Sequence, residues 1–115
     1  MNDRVKSRLH SALLAAQAIS ELIAQKDLND YMEDDFLRSA VERKLEIIGE
    51  ALNHAAALEP AIEDEVSELR AIVGLLNRLI HEYEEIDNLA VWAVARDKVP
   101  PLLASLSDLL EPGEE

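Results

Sequence analysis

Cysteine is absent, glycine occurs three times and proline four, and the only aromatic residues are Tyr31, Phe36, Tyr83 and Trp92. The lack of cysteine excludes disulfides, thiolate metal sites and cysteine nucleophiles, and it fits a reducing interior. With so few aromatics, the core has to be built from Leu, Ile, Val and Ala, residues that suit helix packing. No apolar run approaches the roughly 18 residues of a membrane span or forms a signal-peptide core. A cytoplasmic location with no membrane partner is therefore expected. Basic residues are also scarce, 11 against 24 acidic, so the formal net charge is −13. The average field repels nucleic acid and anionic membrane, and any contact with RNA must come from a local basic patch.

What is present is apolar residues at helical spacing. With 49% hydrophobic and 30% charged residues, the chain can bury a core, and its 115 residues suit one domain spanning 1–115, with 111–115 frayed. Val5, Leu9, Ala12, Ala16, Ile19 and Ile23 step by four and three, which predicts a first helix over about 3–26, capped by Asn2 or Asp3. Leu37, Val41, Leu45, Ile48, Leu52 and Ala55 repeat the rhythm. A second helix is expected to run to about Leu58, opened by an Asp30–Glu33 capping box and closed by Pro60. Val66, Leu69, Val73, Leu76, Ile80 and Tyr83 predict a third helix over about 64–82. A shorter fourth comes after a cap at Asp87 or Asn88, and Pro100-Pro101 opens a fifth. The expected fold is all-α, an antiparallel up-and-down bundle of three long and two shorter helices. Leu14, Ala15, Ala18 and Leu22 widen the apolar face of the first helix beyond one seam. Burial against an identical subunit is the simpler account of this surplus; the alternative is cover for the C-terminal helices.

Three histidines are the candidates for proton transfer near neutrality. His10 reads as a solvated surface residue, and His54, one turn after Glu50, as an exposed helical pair. His81 differs: Asn77 lies one turn before it, Arg78 three residues before and Tyr83 two after, so four hydrogen-bonding groups gather near one helix end. Glu42, Glu46 and Glu50 share one side of the second helix, but the alternating charges of Glu42-Arg43-Lys44-Leu45-Glu46 suit a solvated face better than metal ligation. No metal or cofactor is called for, and no phosphate loop, zinc motif or nucleophile elbow is present.

The run Ala40-Val41-Glu42-Arg43-Lys44-Leu45-Glu46-Ile47-Ile48-Gly49-Glu50-Ala51 resembles the second-helix signature of the HepT-like family. The run from Leu69 through Gly74, Leu76, Asn77, Arg78 and His81 to Tyr83, then Ile86, Asp87 and Trp92, resembles that family's third helix and the segment beyond its end. The resemblance implies a HEPN-type bundle that dimerises and is the toxin of a toxin–antitoxin pair. The antitoxin partner is a small MntA-like nucleotidyltransferase. In the active toxins an Arg, four residues, His, any residue and Tyr make a metal-independent ribonuclease site where two copies meet, and the antitoxin adenylylates the Tyr. Carried over, the His is His81, the Tyr is Tyr83 and the polar residue after the motif Arg is Asn77. The motif Arg itself falls on Leu76, a departure at the position expected to bind the scissile phosphate, where a guanidinium would stabilise developing charge. Arg78 is the nearest substitute. The resemblance thus leaves two functions open: a toxin ribonuclease acting on RNA through Asn77, Arg78 and His81, and a silent HEPN-type module that binds the nucleotidyltransferase.

Overall fold

The computed structural model describes residues 1–66, 69–81 and 86–110, and the side-chain surroundings of all of these except 80 and 81. Among the described residues the fold is all-α and has no strand. Its helices are α1 (Asp3–Ile23), α2 (Leu28–Glu33), α3 (Asp35–Leu58), α4 (Ile62–Glu65), α5 (Leu69–His81), α6 (Asn88–Asp97) and α7 (Val99–Leu110).

Local chemistry sets these boundaries. The Asn2 side chain accepts from the Val5 amide at 2.9 Å and opens α1. That helix stops at Ile23, three residues before the expected end, because Gln25 adopts a left-handed φ of 62° that no continuing helix tolerates. The Lys26–Asp30 stretch, expected to be a plain polar break, contains the start of α2. Its capping box joins Asp27 to Asp30 at 2.8 and 3.0 Å, displacing the predicted Asp30–Glu33 pair. Asp34 then caps α3 by accepting from the Leu37 amide at 3.0 Å, and Arg38 donates back to the Tyr31 and Met32 carbonyls, tying the short helix to the long one. The predicted third helix is also divided. A single turn, α4, is followed at Val66 by extended backbone, and α5 begins at Leu69. The predicted caps of the last two helices hold: Asp87 accepts from the Ala90 amide at 3.1 Å, and Pro100 and Pro101 sit in the first turn of α7.

Helices of 21 and 24 residues are about 32 and 36 Å long. Laid end to end they would exceed the 42 Å long axis of the molecule, so they lie side by side. The link between them is too short to run back along a helix, which makes α1 and α3 antiparallel. α7 and α6 cover α1, and α5 lies against α3. The predicted stripes form the core: Val5, Leu9, Ala12, Ala16 and Ile19 face Leu37, Val41, Leu45, Ile48, Leu52 and Ala55, all buried. Val66, Leu69, Val73 and Leu76 continue this core on the α5 side; Ile80 and Tyr83 of the same predicted stripe lie outside the described side chains. Leu89 of the fourth predicted stripe is exposed, whereas Trp92 and Ala95 are buried.

The surplus apolar face of α1 is largely used within the chain. Ala15 is buried, Ala18 and Leu22 are half-buried, and only Leu14, at 52% exposure, points to solvent. Burial within the chain, where α3, α6 and α7 all pack on α1, therefore accounts for most of the width that had suggested a second subunit. Tyr31 is the other surprise. It is fully buried with its ring 5.2 Å from Trp92, and its hydroxyl has no hydrogen-bond partner among the described residues.

Candidate functional site at the α3–α5 seam

The helix α5, Leu-Arg-Ala-Ile-Val-Gly-Leu-Leu-Asn-Arg-Leu-Ile-His, contains no acidic residue, whereas every other described helix carries at least one. In a chain of net charge −13 a polyanion approaching α5 meets no like charge on that helix itself. Its apolar stripe, with Val73, Leu76 and Leu79 buried, fixes the rotation of the helix on α3 and leaves Asn77 and Arg78 exposed.

Leu76, the position aligned with the motif Arg, is 3% exposed and fills the seam. Opposite it stands Gly49 of α3, where an added Cβ would lie 3.6 Å from Leu76 Cδ1, an ordinary packing distance. Leu76 is thus buried, as its place in the predicted apolar stripe implies. Beside it opens a cavity of about 90 Å³ whose polar rim is Glu46, Glu50, Asn53 and Asn77. Sequence reasoning had placed Glu46 and Glu50 on a plain solvated face. Glu46 does pair with Arg43 at 3.0 Å in that manner, yet both carboxylates also border the cavity. Glu42 is half-buried, and burial raises its pKa above the ordinary carboxylate value, partly offset by the charge of Arg38. Among the described residues, no group of three His, Asp or Glu side chains converges as metal ligands would.

Of the four predicted site residues, the structure brings together Asn77 and Arg78 on the exposed side of α5. The backbone of His81 closes that helix one turn after Asn77, its side chain lies outside the described set, and so does Tyr83 entirely. Arg78 folds back along the helix, with its Nη1 3.9 Å from where a Cβ on Gly74 would sit. His10 and His54 are exposed, as expected, and no hydrogen bond joins His54 to Glu50 among the described residues. Arg70 was given no role by sequence reasoning. Its Nε donates to Glu63 Oε2 at 3.0 Å and its Nη1 to Asn53 Oδ1 at 3.3 Å, so it joins α4, α3 and α5 at the upstream end of the same helix. The spacing Arg70, Gly74, Arg78 was the available signal.

Residues 12–109, nearly the whole of this helical assembly and all of α5, match the family described as ribonuclease HepT-like. The chain belongs to the HepT-like family. Among its relatives is a protein named "putative RNase" from Methanocaldococcus jannaschii, 32% identical over 100 residues, covering 85% of this chain and 89% of that one. A second protein of the same organism and designation is 25% identical over 113 residues, covering 96% and 95%. A protein named "probable ribonuclease HepT" from Thermococcus cleftensis is 27% identical over 104 residues, covering 90% and 94%. No solved structure matches the chain significantly. In this HepT-like protein Leu76, the position that the resemblance sets at the motif Arg, is buried. No described helix is long and apolar enough to cross a membrane.

Proposed function

We propose that this HepT-like chain is the toxin of a HepT/MntA-type pair, a cytoplasmic, metal-independent endoribonuclease whose site is completed when two copies meet. The observation that carries the reading is the acid-free helix α5, with Asn77 and Arg78 exposed on it and His81 at its end. His81 takes the proton from a ribose 2′-hydroxyl, or returns one to the departing oxygen. The 2′-oxygen bonds to phosphorus, the bond to the 5′-oxygen breaks, and a 2′,3′-cyclic phosphate and a 5′-hydroxyl result. Arg78, with Asn77 beside it, steadies the charge that grows on the phosphate, the part that Leu76 cannot play. Tyr83 is the acceptor for regulation. Its oxygen attacks the α-phosphate of ATP held by an MntA-like nucleotidyltransferase, AMP is transferred and pyrophosphate leaves.

The test is cleavage of total RNA in EDTA by purified wild type and His81→Ala. Loss of cutting in the variant alone, with an unchanged solution mass, supports the site; equal cutting by both removes His81 from the mechanism. A second reading, a silent module that only binds the nucleotidyltransferase, is favoured by the burial of Leu76. Wild type inert towards RNA, yet still gaining the mass of one AMP from its partner nucleotidyltransferase and ATP, would support that reading instead.

A further inference from the structure

We propose that Arg70 is a second phosphate-binding residue and that Arg70, Gly74 and Arg78 form a track for the RNA backbone, with Glu63 occupying Arg70 until RNA arrives. The proposal rests on the ribonuclease reading and extends it upstream of the motif.

Three observations support the track. The first is register: positions 70, 74 and 78 are spaced by four, so they stack on one face of α5, and the two arginines are about 12 Å apart along the axis. The second is the absence of a side chain between them. A Cβ on Gly74 would find only Arg78 Nη1 within 4 Å, at 3.9 Å, so the guanidinium of Arg78 lies back over the glycine, towards Arg70. The third is the state of Arg70. Its pair with Glu63 is open to solvent, the side chains being 53% and 38% exposed. Such a pair is weak and screened. A guanidinium has five N–H donors, of which one is engaged by Glu63 and one by Asn53 among the described residues. A phosphate, which matches the fork of a guanidinium in two-point geometry, competes well for that site.

Glu63 then has a definite role. It belongs to α4, whose first turn carries Glu63, Asp64 and Glu65, and it meets Arg70 across the α4–α5 connection. Neutralising Glu63 removes a competitor of phosphate, whereas truncating Arg70 removes the site. The two changes therefore act on RNA affinity with opposite signs, which a general loss of folding cannot imitate.

The experiment measures binding of a fluorescent single-stranded oligoribonucleotide carrying 2′-O-methyl groups, which cannot be cleaved through its 2′-oxygen, across a series of salt concentrations. Arg70→Ala is expected to weaken binding about 10-fold at low salt and to reduce the salt slope by about 0.7. Glu63→Gln is expected to tighten binding about 3-fold, within the range of an exposed pair, and to lose that gain in the Arg70→Ala background. Arg70→Lys should keep the slope while losing part of the affinity. Unaltered affinity in Arg70→Ala, while Arg78→Ala binds weakly, would overturn the track and leave the ribonuclease reading in place. Absence of any RNA binding by wild type would instead overturn the ribonuclease reading itself.

Discussion

The helices α3 and α5 lie against each other and share the buried seam at Leu76 and Gly49, yet they differ in almost every other respect. α3 has 24 residues, an Asp cap, carboxylates at Asp35, Glu42, Glu46 and Glu50 alternating with Arg38, Arg43 and Lys44, and buried partners on both α1 and α5. α5 is about half as long and has no acidic residue. The contrast separates two tasks. Mixed charges on α3 keep a long central helix soluble around its apolar stripe, and their local pairs decide little of the free energy. The absence of negative charge within α5 adds nothing to packing, which its apolar stripe already supplies, but it leaves Asn77 and Arg78 without a like-charged neighbour to RNA phosphate on their own helix, as the proposed function requires.

That division can be broken or sharpened by substitution. The largest effect on the α3 side is expected from Leu52→Ala. This side chain is fully buried, so its loss should cost about 2–5 kcal/mol in denaturant unfolding; a change below about 1 kcal/mol would show that the seam repacks and that α3 is not the stabilising centre. On the α5 side, Arg78→Ala should leave unfolding within about 0.5 kcal/mol of wild type and lower the rate of RNA cleavage about 10²–10³-fold. If stability fell instead while cleavage stood, α5 would be a packing helix like its neighbour. The smallest effect is expected at Glu42. Burial raises its folded pKa above the ordinary 4.5, so the folded state binds this proton more tightly than the unfolded chain does. Its contribution to stability is full below pH 4.5 and is lost as pH rises through the folded value. Glu42→Gln, which mimics the protonated form, should therefore raise the melting temperature near neutral pH, with the gain shrinking as the medium is acidified. A gain that persisted unchanged at low pH would locate the cause in packing.

The long stripes were legible because a 3.6-residue repeat writes a buried face directly into the order of apolar residues, and Val5 to Ile19 and Leu37 to Ala55 are buried as read. Boundaries were less legible. Asp27, Asp30 and Asp34 can each cap a helix, and only the reversal of the chain after Gln25 selects Asp27 and Asp34 as caps and makes Asp30 the reciprocal partner. The division of α4 from α5 carries no Pro or Gly to announce it, since the apolar rhythm runs through Val66 and Leu69 without interruption. At the site, the burial of Leu76 was readable from the stripe and the exposure of Asn77 and Arg78 from its complement. Arg70 was not found, because a lone surface arginine gains meaning only when Asn53, Glu63 and Gly74 are placed around it.

Taken alone, the sequence determined that the fold is all-helical and which faces are apolar, because these depend on local order, period and residue type. Tertiary structure decided which apolar faces meet. It buried most of the surplus of α1 within the same chain, put Tyr31 of α2 against Trp92 of α6, and brought Asn53 of α3 to Arg70 of α5. Those outcomes depend on contacts between residues far apart in the chain, and burial free energy, summed over the whole core, selects among pairings that local pattern leaves equivalent.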